Sequence, residues 1–77
     1  MNEKQIECFL TVSKYQSFSR AAQALFMTQP TVTHQIAALE EELGFPLFVR
    51  GYRAISLTPA GQRFEERMRP IVEQLQG

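Results

Sequence analysis

The chain has 77 residues, 44% of them hydrophobic and 21% charged, with eight Lys and Arg set against eight Glu. That is one domain of ordinary globular composition, too small to bury more than about 60% of the surface its unfolded chain exposes. A lone cysteine, Cys8, excludes an intrachain disulfide and a cysteine metal cluster, and the polar start Met1–Gln5 leads into no long apolar run. A reducing, cytoplasmic setting is therefore expected, with neither a signal peptide nor a membrane partner.

The first periodic segment runs from about Glu3 to Tyr15. Ile6, Phe9, Leu10 and Ser13 share one face of an amphipathic helix. Gln16-Ser17 breaks it, and the Ser17 hydroxyl is suited to accept an orphan N–H of a second helix, about Phe18 to Phe26. There Ala21, Ala22 and Leu25 allow another helix to come close. Met27-Thr28-Gln29-Pro30 is the next punctuation, with Thr28 as N-cap and Pro30 in a first turn where its missing N–H costs little. The third helix spans 29–43 and stops at Gly44. Two helices across so short a turn make a helix-turn-helix unit.

From Phe45 the period shortens. Leu47–Arg50 and Ala54–Leu57 are strand-like runs flanking Gly51-Tyr52-Arg53, a hairpin signal. Thr58-Pro59 repeats the cap-plus-proline start. A last helix then carries Phe64, Met68, Ile71 and Leu75 at i, i+4, i+7 and i+11, a narrow seam suited to another helix. Pro70 removes one of its backbone hydrogen bonds and is expected to bend it. The seam is still running at the last residues, so a longer protein is expected.

Charge alone does not point to nucleic acid. Residues 1–49 carry Lys4, Lys14 and Arg20 against Glu3, Glu7, Glu40, Glu41 and Glu42, whereas residues 50–77 hold five arginines against Glu65, Glu66 and Glu73. The third helix is more informative. On a wheel of about 100° per residue, Val32, Ile36, Leu39 and Leu43 cluster toward a core, with Pro30, Thr33, His34 and Ala37 roughly opposite and Gln29 at the N-terminal end. This outer face is uncharged, small and rich in hydrogen-bonding groups. A major groove rewards that chemistry: Gln pairs with adenine, Thr donates or accepts, and apolar groups pack on the thymine methyl. The acidic triplet Glu40–Glu42 lies at the far end, clear of the turns that normally reach base edges.

Ser17-Phe18-Ser19-Arg20-Ala21-Ala22, Leu25, Thr28-Gln29-Pro30-Thr31-Val32-Thr33-His34-Gln35-Ile36, Leu39-Glu40-Glu41-Glu42-Leu43-Gly44-Phe45-Pro46-Leu47-Phe48-Val49-Arg50 and Leu57-Thr58-Pro59-Ala60-Gly61 together resemble the LysR-type transcriptional regulators over nearly the whole chain. The resemblance implies a mostly α, winged helix-turn-helix DNA-binding domain over 1–58, with a β-hairpin wing at 50–54. A linker helix at 59–77 would pair two subunits. It implies double-stranded DNA as partner and an interrupted palindrome as target. Gln29, Pro30, Thr33 and His34 would meet bases, Thr28 and Thr31 the backbone. Arg50 would hold phosphate, and Arg53 would reach the minor groove. Phe64, Met68, Ile71 and Leu75 would form the homodimer interface, with higher oligomers open to the full-length protein. No cofactor is expected in this domain; a small-molecule effector belongs to a C-terminal domain outside it. Thr28 and Thr33 replace the commoner serines, and His34 stands where Arg is frequent, so base preference there differs from a fork-shaped guanidinium contact.

The remaining residues take simpler readings. Cys8, offset from the main apolar face, is expected to be a partly buried filler. His34 is no metal ligand, since one histidine, one cysteine and no aspartate cannot supply three or four convergent ligands. Phe18, Phe26, Phe45 and Phe48 are expected in the core. With no Ser/His/acid set and no glycine-rich phosphate loop, no enzyme and no catalytic residue are expected. The rival to DNA reading is a winged helix used for protein contact, which the near-zero net charge favours.

Overall fold

A computed structural model describes residues 1–51 and 54–76, with backbone alone at 50, 75 and 76. Helix α1 spans Glu3–Tyr15, α2 Phe18–Leu25, α3 Gln29–Leu43 and α4 Pro59–Gln76; strands β1, Phe48–Arg50, and β2, Ile55–Leu57, lie between α3 and α4. Each start is set by a side chain that satisfies an orphan N–H. Asn2 and Gln5 form a reciprocal capping box on α1, at 2.8 and 3.1 Å. Ser17 Oγ accepts from the Arg20 N–H at 3.1 Å, Thr28 Oγ1 from the Thr31 N–H at 3.3 Å, and Thr58 Oγ1 from the Gly61 N–H at 2.8 Å. The first three helices each end on a left-handed residue, Gln16, Phe26 and Gly44.

Helices α1, α2 and α3 pack against one another in a three-helix layer, and α4 leans on α1 and β2. The strands pair antiparallel with Phe48 opposite Leu57 and Arg50 opposite Ile55. Gly51 closes the hairpin by donating its N–H to the Ala54 carbonyl at 2.7 Å. A run of rings then ties the elements together. Phe18 meets Phe48 at 5.8 Å, Phe48 meets Phe9 at 5.4 Å, and Phe9 meets Phe64 at 5.3 Å between centroids. These spacings are in the range where tilted and edge-on pairs add stability beyond their buried area. The hairpin and α4 thus share one core with the helix-turn-helix.

Three expectations need correction. Phe26 is 97% exposed: as the left-handed cap of α2 its backbone turns the ring outward, whatever its hydrophobicity. Cys8 is not partly but fully buried, because α2, α3 and α4 surround α1 on more sides than a single apolar stripe suggests. Phe64 is buried against Phe9 and so belongs to this domain's own core.

Candidate nucleic-acid interface

The face of α3 opposite its buried residues is open. Val32, Ile36 and Leu39 are fully or almost fully buried, while Gln29, Pro30, Thr31 and His34 are exposed. Gln29, Pro30, Thr33 and His34 line one shallow concavity, so the four expected base-contacting residues stand together. Thr33 is half-buried and sits at the flank, not opposite the core. It also borders a crevice formed with Phe18, Ile36, Ala37, Glu40, Pro46 and Phe48. At the helix start the Thr28 and Thr31 hydroxyls hydrogen-bond each other at 2.8 Å. Pro30 has no N–H and the Thr31 N–H is taken by Thr28, so the two hydroxyls and the Gln29 N–H are the polar groups at the positive end of the helix dipole, an arrangement suited to a phosphate oxygen.

Local electrostatics favour this end over the total charge. Between Tyr15 and Leu39 there is no acidic residue at all. At the other end of α3, the Glu40 carboxylate turns toward the base of the wing and accepts the Leu47 N–H at 2.7 Å. Glu42 pairs with the N-terminal ammonium of Met1. Two of the three acidic side chains are thus engaged away from the concavity. Glu40 is the residue that charge-run reasoning misses. Its signal is present in the wheel, where it falls roughly 40° from Ile36 at about 100° per residue, on the buried side.

The backbone of Arg50 pairs with Ile55 in the hairpin; Arg53 lies outside the described residues, as does Tyr52. On the outer side of the wing, Val49 is half exposed. Along α4, Phe64 and Val72 are buried, Met68 is half-buried against the core and Ile71 is 48% exposed. The side chain of Leu75 lies outside the description.

Residues 4–62 match the model of the lysR family of bacterial regulatory helix-turn-helix proteins. The chain belongs to that family. It is 40% identical over 79 residues to a probable cat1 operon transcriptional activator of Acinetobacter lwoffii, covering 99% of this chain and 26% of that protein. It is 44% identical over 66 residues to the transcriptional regulator BudR of Klebsiella aerogenes, covering 86% of this chain and 46% of that one. This lysR-family chain therefore spans between about a quarter and a half of these relatives. Its fold matches the BenM DNA-binding domain, solved in complex with benA site 1 DNA, with a TM-score of 0.94 and 36% identity over 99% of this chain and 85% of that one. It matches the CbnR DNA-binding domain, also solved with DNA, with a TM-score of 0.91 and 39% identity over 97% and 86%. The architecture is accordingly the winged helix-turn-helix of lysR-family DNA-binding domains, and among the described residues no helix is long and apolar enough to cross a membrane.

Proposed function

We propose that this domain binds double-stranded DNA sequence-specifically and regulates transcription. In this reading α3 enters the major groove, and the wing at 50–54 lies along phosphates and the adjacent minor groove. The observation that carries it is the uncharged concavity of Gln29, Pro30, Thr33 and His34 at the N-terminal end of a helix whose other side is sealed into the core. Gln29 and His34 supply base-edge hydrogen bonds, Pro30 and the Thr33 methyl supply apolar contact, Thr28, Thr31 and Arg50 hold the backbone, and Arg53 reaches the minor groove. The solved DNA complexes of similar domains support DNA as the partner.

Residues 59–77 act as a linker helix through which two copies pair, with Met68, Ile71 and Leu75 as the seam and Phe64 supporting it from inside the domain. The larger protein is a cytoplasmic regulator whose further domain binds a small-molecule effector; its role is binding, not catalysis. Selection from a random duplex library tests the reading, because it reports affinity, base preference and half-site symmetry together. Enrichment of an interrupted palindrome is expected, with affinity that falls steeply as salt rises. No enrichment and a flat salt dependence would instead favour a protein-contact role.

A further inference from the structure

Pro46 and Leu47 lie where the reading helix, the wing and the linker helix meet. From α3, Glu40 Oε2 accepts the Leu47 N–H at 2.7 Å, with the Phe48 N–H at 3.4 Å from the same oxygen. From the start of α4, the Thr58 N–H donates to the Leu47 carbonyl at 3.0 Å. The Thr58 hydroxyl donates to the Pro46 carbonyl at 2.7 Å while accepting from the Gly61 N–H at 2.8 Å. Leu47 and Thr58 are both buried. Gly61 presses its bare Cα against the adjoining Leu47–Phe48 peptide: a Cβ there would stand 2.2 Å from the Leu47 oxygen. Among the described residues α3 and α4 have no extended packing of their own, each leaning on α1.

We infer that the Pro46–Leu47 peptide is the junction that holds α3 at a fixed angle to α4, with Glu40 and Thr58 as its positioning residues. The consequence for DNA rests on the function proposed above; the junction itself does not. A carboxylate accepting from backbone N–H groups is a charge-assisted bond, stronger and more directional than a neutral one. The hydroxyl of Thr58 uses its one donor and an acceptor site at once, so an isosteric valine loses both links without changing shape. In a dimer joined through α4, the tilt of α3 on α4 sets where the two reading helices fall. Half-sites recur about one helical turn, roughly 34–36 Å, apart or at multiples of that distance, so a loose junction admits wrong spacings.

The test places spin labels at Ala38 on α3 and Glu66 on α4, both exposed, in a Cys8→Ala background. Labelled chain is diluted with unlabelled chain so that intrachain pairs dominate. The parent chain, Glu40→Gln, whose amide oxygen still accepts from Leu47, and Thr58→Ser, which keeps the hydroxyl, should give one narrow distance. Glu40→Ala and Thr58→Val should broaden or shift it while circular dichroism keeps its helical content. If Glu40→Ala fails to fold, Thr58→Val against Thr58→Ser decides. A narrow, unmoved distance in Thr58→Val overturns the junction, whether or not the chain binds DNA. On duplexes carrying two selected half-sites at graded separations, Thr58→Val should lose the spacing preference of the parent while keeping its preference within one half-site. A broadened distance with spacing preference intact would refute the consequence for DNA.

Discussion

The ring of Phe64 meets the ring of Phe9 at 67°, with 5.3 Å between centroids, so α4 begins inside the core of the domain from which it projects. Two residues of one sequence seam therefore do different work. Phe64→Ala should cost about 3–5 kcal/mol of folding stability, as deletion of a buried ring does. Ile71, 48% exposed on the same helix, should tolerate glutamate within about 0.5 kcal/mol of folding stability, as exposed sites usually do. Sedimentation should nevertheless find Ile71→Glu monomeric, because a desolvated charge opposes burial against a partner helix. Denaturant melts and sedimentation on both variants separate the two roles. A dimer that survives Ile71→Glu would put the contact elsewhere.

Phe26 sits at φ 56° with its ring 97% exposed. An L-residue pays roughly 1–2 kcal/mol for the left-handed region, which glycine does not. Glycine gives back about 0.4–1 kcal/mol through the greater freedom of its unfolded chain. No burial is lost with so exposed a ring, so Phe26→Gly should leave the domain about 0.5–1 kcal/mol more stable, as glycine does at helix ends of this kind. Urea unfolding gives the sign directly. A clear destabilisation would mean that the ring is covered in solution, for instance by a second chain.

How far the fold was legible follows from which residues carry local signals. Ser17, Thr28, Pro30 and Gly44 announce helix ends because capping is chemistry of one residue and its immediate neighbours. The inward turn of Val32, Ile36 and Leu39 follows from periodicity alone, and with it the outward face of Gln29 and His34. Phe26 is opaque to that reasoning, since hydrophobicity argues for burial while a left-handed backbone at the helix end turns the ring outward. Glu40 is missed for a different reason: the wheel sets it near Ile36, but a run of three glutamates argues for solvent, and the Leu47 N–H that needs its acceptor comes from the wing. Thr33 falls between, its methyl and hydroxyl placed at a border whose position depends on how closely Phe48 approaches α3. The burial of Cys8 and Phe64 depends likewise on where α4 returns to α1, a contact between distant parts of the chain.

Cys8 is completely buried in the core, and its thiol lies above the ordinary value of 9.0, chiefly through loss of solvation and further through the charge of Glu7, partly offset by Lys4. A group whose folded-state value is raised above its unfolded one contributes fully below the unfolded value and loses that contribution as pH rises through the folded value. Stability should therefore fall above about pH 9, where the unfolded thiol ionises and the buried one resists. Comparing urea midpoints at pH 8 and at pH 10 checks this: the native chain should lose more between them than Cys8→Ala. Equal losses would mean that the thiol ionises as easily inside as out.

The two glycines at 44 and 61 give a last contrast. Gly44 ends α3 at φ +84° with nothing within 4 Å of where a Cβ would stand, whereas a Cβ on Gly61 would meet the Leu47 carbonyl oxygen at 2.2 Å and the Leu47 Cα at 3.1 Å. Alanine at 44 therefore pays a conformational cost of roughly 1–2 kcal/mol and no steric one. At 61, inside α4, alanine gains about 0.8–1 kcal/mol of helix propensity. Against that gain stands a collision with backbone, which cannot swing aside as a side chain can. Overpacking of this kind costs about 1–3 kcal/mol and sometimes more, so Gly61→Ala should be destabilising despite the better helix former. In a domain of this size each lost kcal/mol lowers the melting temperature by roughly 4–8 °C, so calorimetry resolves the effect. If Gly61→Ala melts as high as the native chain or higher, the Leu47 peptide must be able to retreat from α4, and its tie between the reading helix and the linker helix would be soft.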